Sequence, residues 1–245
     1  HMVFTGNPGT GKTTVARIIG KIFAAMGVLK KGHLIETDRS GLVAGYAGQT
    51  GPKTNAKIDE ALDGVLFIDE AYSLVAQEGE DPYGMEAVQA ILKRVEDDRD
   101  RLVVILAGYT DEMGELIDSN PGLSSRFSRM LNFEDYPPVE LARISAWLGE
   151  KTHYKRADDT RPKLMLGLAE LYRARDRKFG NGRTVRNLFE QSIRRMANRI
   201  ADIRELWPNP LLLIRDGRTL DALGDDVEAG RADVAPVAKW ALANP

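Results

Sequence analysis

The chain has no cysteine. A disulfide framework, a thiol nucleophile, an iron–sulfur cluster and a zinc finger all need sulfur ligands that are missing. A chain without thiols suits a reducing compartment, and the cytoplasm is the expected location. Charge of one sign is also missing: 34 Lys and Arg face 36 Asp and Glu, a formal net charge of −2. That balance gives no electrostatic case for nucleic acid or an anionic membrane as partner. No apolar run approaches the roughly 20 residues that span a bilayer, so no membrane insertion is expected. The N-terminus lacks the pattern of a signal peptide. A chain of 245 residues allows one large domain or two small ones and can bury a core without disulfides or metal. It opens directly on an apolar, β-favouring run, as though it began inside a structural element.

That run, Met2-Val3-Phe4-Thr5, leads at once into a glycine-rich stretch at residues 6–11. Residues 13–26 then carry Val15, Ile18, Ile19, Ile22 and Phe23 at helical spacing. The order is strand, glycine loop, helix. Strands are expected at 34–36, 65–68 and 102–107, with a last one at 130–133. Helices are expected at 54–62 and 84–95. Strands that are apolar throughout, alternating with helices, imply a parallel sheet covered on both faces. Pro137-Pro138 ends this pattern. Beyond it only helical periodicity is convincing, at 139–150, 162–174 and 184–203. The expected fold is α/β: a P-loop αβα sandwich over residues 1–136, then a small helical lid domain over 137–206. The tail, 207–245, shows no motif.

Gly6-Asn7-Pro8-Gly9-Thr10-Gly11-Lys12-Thr13 fits the P-loop pattern G-x-x-x-x-G-K-[ST]. Its glycines let successive backbone N–H groups turn toward one anion. The helix starting near Lys12 adds its positive end. Asn7, Pro8, Gly9, Thr10, Gly11, Lys12, Thr13 and Thr14 are the expected nucleotide-binding set. Lys12 supplies a point charge for the β- and γ-phosphates, and the Thr13 hydroxyl is a hard ligand for Mg²⁺. The apolar run at 65–68 ends in Asp69-Glu70. A carboxylate at the end of a buried strand is costly unless partnered. If this strand neighbours the P-loop strand, Asp69 faces the Mg²⁺ shell and Glu70 faces the γ-phosphate. Glu70 then polarises an attacking water, giving hydrolysis rather than transfer to a bound acceptor. The bland alternative is a helix N-terminus with acidic caps.

With these residues in hand the chain resembles the AAA+ ATPases, over residues 1–203. Within them it is most similar to the branch of the red-type rubisco activases, stage V sporulation protein K and the type VII secretion ATPase. The segments HMVFTGNPGTGKTT, GVLFIDEAYSL, RLVVILAGYTDEM, SNPGLSSRF and GNGRTVRN, in this order, carry the resemblance. It implies ATP and Mg²⁺ as cofactors, a homo-oligomeric ring (a hexamer expected), and a protein substrate. Arg126 and Arg129 align with arginine fingers that reach the γ-phosphate of the neighbouring subunit. A guanidinium stays charged and binds phosphate oxygens bidentately. Arg183 aligns with sensor 2, with Arg186 one turn on as the competing candidate. Many AAA+ proteins carry Asn at sensor 1; here the aligned position is Thr110. Tyr46, Ala47 and Gly48 align with the pore loop whose aromatic grips a polypeptide. Residues 77–81 read equally as a second pore loop or a solvated loop.

The leading expectation is an ATP-hydrolysing protein remodeller that pulls on its substrate through pore loops. The alternative is a nucleotide-dependent oligomeric switch or scaffold that does not thread. A small-molecule kinase leaves the Asp-Glu pair, fingers and lid unexplained, and no added helix-turn-helix or basic patch supports a DNA-acting protein. The resemblance also leads us to expect a segment ahead of the first strand, which helps hold adenine and joins a substrate-recognising region. The chain therefore reads as a motor module cut at its first strand, with weaker adenine discrimination and assembly than a longer version.

Overall fold

The computed structural model describes residues 1–75, 82–154 and 160–202. Two compact units divide it. The first holds His1–Asn7 and Gly11–Glu134; the second holds Pro8–Thr10 and the described residues from Asp135 onward. The expected second loop at 77–81 and the tail at 207–245 lie outside the described residues.

In the first unit five strands form one parallel sheet: β1 (Met2–Thr5), β2 (Leu34–Thr37), β3 (Gly64–Ile68), β4 (Leu102–Gly108) and β5 (Met130–Asn132). Their spatial order is β2-β3-β4-β1-β5. Register is set by pairs such as Met2 with Ile105, Val3 with Met130 and Ile68 with Leu106. Helices connect the strands: α1 (Lys12–Ala25), α2 (Arg39–Leu42), α3 (Thr50–Ala61), α4 (Pro82–Asp97), α5 (Thr110–Asp118) and α6 (Pro121–Arg126).

The continuous apolar runs have a simple cause. Side chains alternate across a strand, and both faces of this sheet are covered. Leu66, Ile68, Val104 and Leu106 point into one core with Ile58, Ile91, Leu116 and Phe127. Val65, Phe67, Val103 and Ile105 point into the other with Phe4, Ala16 and Leu29. Along β1, β3 and β4 neither face is wet, so there is no reason for polar alternation; the edge strand β5 is exposed.

In the second unit α7 (Pro138–Lys151), α8 (Thr160–Arg173) and α9 (Asn181–Asp202) share a core of Leu141, Leu148, Leu168, Leu171, Phe179 and Val185. Pro138 opens α7 at a position where its missing N–H costs nothing. Among the described residues no helix is long and apolar enough to cross a membrane.

Candidate active site

Because all strands run the same way, their C-terminal ends share one edge of the sheet. Three chemically distinct segments start there: the loop after β1, Asp69-Glu70 after β3, and Tyr109-Thr110 after β4. One expectation changes. β3 does not neighbour β1; β4 lies between them, paired with both. At about 4.8 Å per strand, Asp69 starts roughly 10 Å across the sheet from the phosphate loop. The two segments share the edge but leave room between them.

The loop geometry follows from its glycines at two points. Gly6 has φ 132, and a Cβ there would sit 2.2 Å from the Phe133 carbonyl oxygen. Gly9 has φ 72, and a Cβ there would sit 2.2 Å from the Gly180 carbonyl oxygen and 2.8 Å from the Arg183 nitrogen. Side chains are excluded at both by the left-handed backbone and by neighbouring backbone. Lys12 Nζ donates to the carbonyls of Gly6 at 2.7 Å and Asn7 at 2.9 Å. Helix α1 begins with Gly11 at its cap, no side-chain cap bond and no acidic residue in its first turn. Within the helix itself, therefore, no carboxylate caps its first turn or counters its positive end, as suits an anion site. Thr13 is half-buried, Thr14 exposed, and Thr13 Oγ1 lies 3.5 Å from Glu36 Oε1.

Asp69 is half-buried; its backbone N–H donates to the Thr37 carbonyl at 2.8 Å, and its Oδ1 accepts from the Glu70 N–H at 3.0 Å. Glu70 is exposed and left-handed, with φ 49. Such a conformation costs a non-glycine residue about 1–3 kcal/mol, and it clusters at functional sites. After Glu70 the chain tightens into a 3₁₀ turn, Ala71–Leu74. Tyr72 from that turn lies against Gly108, where a Cβ would come within 2.7 Å of the ring. Burial first, then the negative charge of Glu70, pushes the Tyr72 phenol up to about 12. It therefore stays protonated across the physiological range.

The remaining expected residues fall as follows. Thr110 is exposed and opens α5. Arg126 closes α6, with Nε 3.4 Å from Glu96 Oε2; Arg129 is exposed just ahead of β5. Tyr46, Ala47 and Gly48 are exposed between α2 and α3, Tyr46 at 74%. Such exposure sets Tyr46 apart from the chain's core aromatics.

In the second unit, Arg183 lies in the first turn of α9 and Arg186 one turn on, both exposed. Here sequence reasoning missed a residue. Asn181 is fully buried with φ 44. Its Oδ1 accepts from the Tyr136 N–H at 2.8 Å. The two hydrogens on its Nδ2 are shared among Asp135 Oδ1 at 2.7 Å, the Phe179 carbonyl at 3.1 Å and the Pro8 carbonyl at 3.3 Å. The available signal was an Asn set between two glycines, a residue that tolerates the left-handed region. The Tyr136 hydroxyl donates to the Thr10 carbonyl at 2.8 Å. Burial, with Glu140 nearby, raises the Tyr136 phenol above its ordinary value, which keeps it a donor.

Known proteins resemble this chain in sequence and in fold. The family described as "ATPase family associated with various cellular activities (AAA)" matches residues 2–135, and the AAA lid domain matches residues 137–221. Stage V sporulation protein K of Bacillus subtilis is 47% identical over 201 residues, covering 82% of this chain and 62% of that protein. The chloroplastic ribulose bisphosphate carboxylase/oxygenase activase of Cyanidioschyzon merolae is 45% identical over 200 residues, 82% of this chain and 68% of that one. ESX-1 secretion system protein EccA1 of Mycolicibacterium smegmatis is 42% identical over 246 residues, 96% of this chain but 41% of that one. The chain thus spans less than two thirds of the sporulation and secretion relatives. The FIGL-1 AAA domain, solved in complex with ADP, matches with TM-score 0.54 over 91% of this chain and 76% of that one. At 21% identity that likeness concerns the fold alone.

Proposed function

This chain belongs to the AAA family of ATPases, and from that premise we propose that it hydrolyses ATP to remodel a protein substrate, as a homo-oligomeric ring with six subunits expected. The observation that carries the reading is the phosphate loop: a glycine loop between β1 and α1, with Lys12 Nζ on the carbonyls of Gly6 and Asn7 and a helix start that no side chain caps. The donor set also fits Mg²⁺. Thr13 offers a hydroxyl and Asp69 a carboxylate, both hard oxygen ligands, and these two residues would hold the ion. An ion held by these two residues would supply positive charge to offset that of the polyphosphate.

The chain's own groups divide the rest. Residues 7–14 cradle the polyphosphate through their backbone N–H groups, except at Pro8, which has none. Lys12 exchanges its carbonyl partners for phosphate oxygens. Glu70 accepts a hydrogen bond from the attacking water and takes its proton as the water oxygen bonds to the γ-phosphorus, while the bond from that phosphorus to the β,γ-bridging oxygen breaks and ADP leaves. Thr110, at the end of β4, is the candidate to orient that water. Arg183 reaches the γ-phosphate in the same subunit. Arg126 and Arg129 reach that of the next subunit and stabilise charge that grows in the transition state. Tyr46, flanked by Ala47 and Gly48, contacts the substrate in the ring's channel through apolar contact and backbone hydrogen bonding. The cytoplasm is the proposed location.

Two substitutions test this. Glu70→Gln keeps ATP affinity and lowers turnover at least about 100-fold; normal turnover would sink the hydrolytic assignment. Tyr46→Ala keeps ATPase activity and abolishes action on substrate. An undiminished partner activity there favours a nucleotide-dependent scaffold of the kind that secretion- or sporulation-associated proteins would use. Capture by the Glu70→Gln variant in ATP, followed by identification of the bound protein, names the substrate.

A further inference from the structure

Five consecutive carbonyls of the phosphate loop are engaged by hydrogen bonds. The first two, Gly6 and Asn7, accept from Lys12. The next three belong to the second unit and are held within it. Pro8 accepts from Asn181 Nδ2 at 3.3 Å, Gly9 from the Gly182 N–H at 3.1 Å, and Thr10 from the Tyr136 hydroxyl at 2.8 Å. In a planar trans peptide the carbonyl and the following N–H point in opposite directions. Drawing the carbonyls of residues 8, 9 and 10 toward one cluster therefore turns the N–H groups of Gly9, Thr10 and Gly11 the other way.

The cluster is built for rigidity. Asn181 is fully buried, and its side chain ties Asp135, Tyr136, Phe179 and Pro8 together. Asp135 is held in turn by Arg175, 3.5 Å away. A buried amide is held firmly where its oxygen and its nitrogen are both hydrogen-bonded, as they are at Asn181. The Gly180 carbonyl and the Arg183 nitrogen take the space that a Cβ on Gly9 would need.

We infer that Asn181 and Tyr136 are positioning residues for polyphosphate: by holding the back of the loop they aim its N–H groups at the β-phosphate. Neither side chain is asked to touch nucleotide. The inference rests on the reading of residues 6–13 as the phosphate site and adds to it the groups that set its shape.

The test is the affinity of the full chain for ADP and for adenosine, each by competition with a fluorescent ATP analogue, beside thermal unfolding without nucleotide. Tyr136→Phe removes one hydroxyl and leaves the ring. Asn181→Gly removes the side-chain ties and keeps the left-handed turn, which glycine adopts freely. For one and for several lost hydrogen bonds we expect ADP to weaken about 3-fold in Tyr136→Phe and about 10-fold in Asn181→Gly, with adenosine within about 2-fold of the parent. The unfolding midpoint of Tyr136→Phe stays near that of the parent, and this variant decides alone if Asn181→Gly does not fold. Unchanged ADP affinity overturns the inference, and so does equal weakening of ADP and adenosine. Lys12→Ala separates the two levels. If it binds ADP like the parent, the phosphate-loop reading falls and the inference with it. If it loses ADP while both other variants keep it, only the positioning roles fall.

Discussion

Asp63 shows how much one side chain can settle. It occupies a left-handed position, φ 68, between α3 and β3. Its carbonyl accepts from the N–H groups of Lys31 and Gly32, both at 2.9 Å, and its N–H donates to the Arg101 carbonyl at 2.7 Å. Its carboxylate receives Nε and Nη2 of Arg101 at 3.1 and 3.0 Å. Those Arg101 bonds hold the Asp63 carboxyl below the usual carboxylate range. The sign follows: the stabilisation is fully present above the unfolded pKa of about 3.9 and is lost as pH falls through the lower folded value. Asn accepts the left-handed backbone and removes the charge. Thermal unfolding of Asp63→Asn should therefore fall below that of the parent at neutral pH, with the gap closing as pH drops below about 4. At this same scale Lys12, Asp69 and Glu70 were legible in the sequence, because neighbours along the chain define their motifs. Asn181 was not, since its meaning depends on a carbonyl 173 positions away.

Elements obey a different logic. β3 and β4 were legible as apolar runs because both faces of the sheet are buried. Phe67 is fully buried in the second of the two sheet cores. Phe67→Ala should cost about 3–5 kcal/mol, read as a shifted midpoint in urea unfolding. The helices α5 and α6 escaped notice for a reason of length. With 9 and 6 residues they give periodicity little room, although Met113, Leu116 and Ile117 share one buried face. Asn120-Pro121 was the readable start of α6: its side chain accepts from the Gly122 N–H at 2.8 Å, and proline fills the first helical position. Strand order was not legible at all. Insertion of β4 between β1 and β3 depends on long-range pairing, which no local pattern encodes.

For the molecule as a whole, the proposed ring makes the site depend on a neighbour. Lys12→Ala subunits keep their fingers, and Arg126→Ala subunits keep their phosphate loop. Mixtures of the two should recover part of the ATPase activity that each lacks alone, since one kind of interface is intact. No recovery at any ratio, in mixtures shown to co-assemble, would exclude fingers acting between subunits. The sheet order has one more consequence, for the chain in the course of being made. β1 precedes the other four described strands along the chain, yet its neighbours in the sheet are β4 and β5, the last two of them. Pairings this distant are slow to form. The phosphate loop hangs from β1, so its amino acids are in place long before its shape can be. A fragment ending at Arg101 already holds every residue of the loop but should gain no protease protection from ATP. One that continues past Asn132 should begin to. Nucleotide can reward the completed sheet; it cannot seed it.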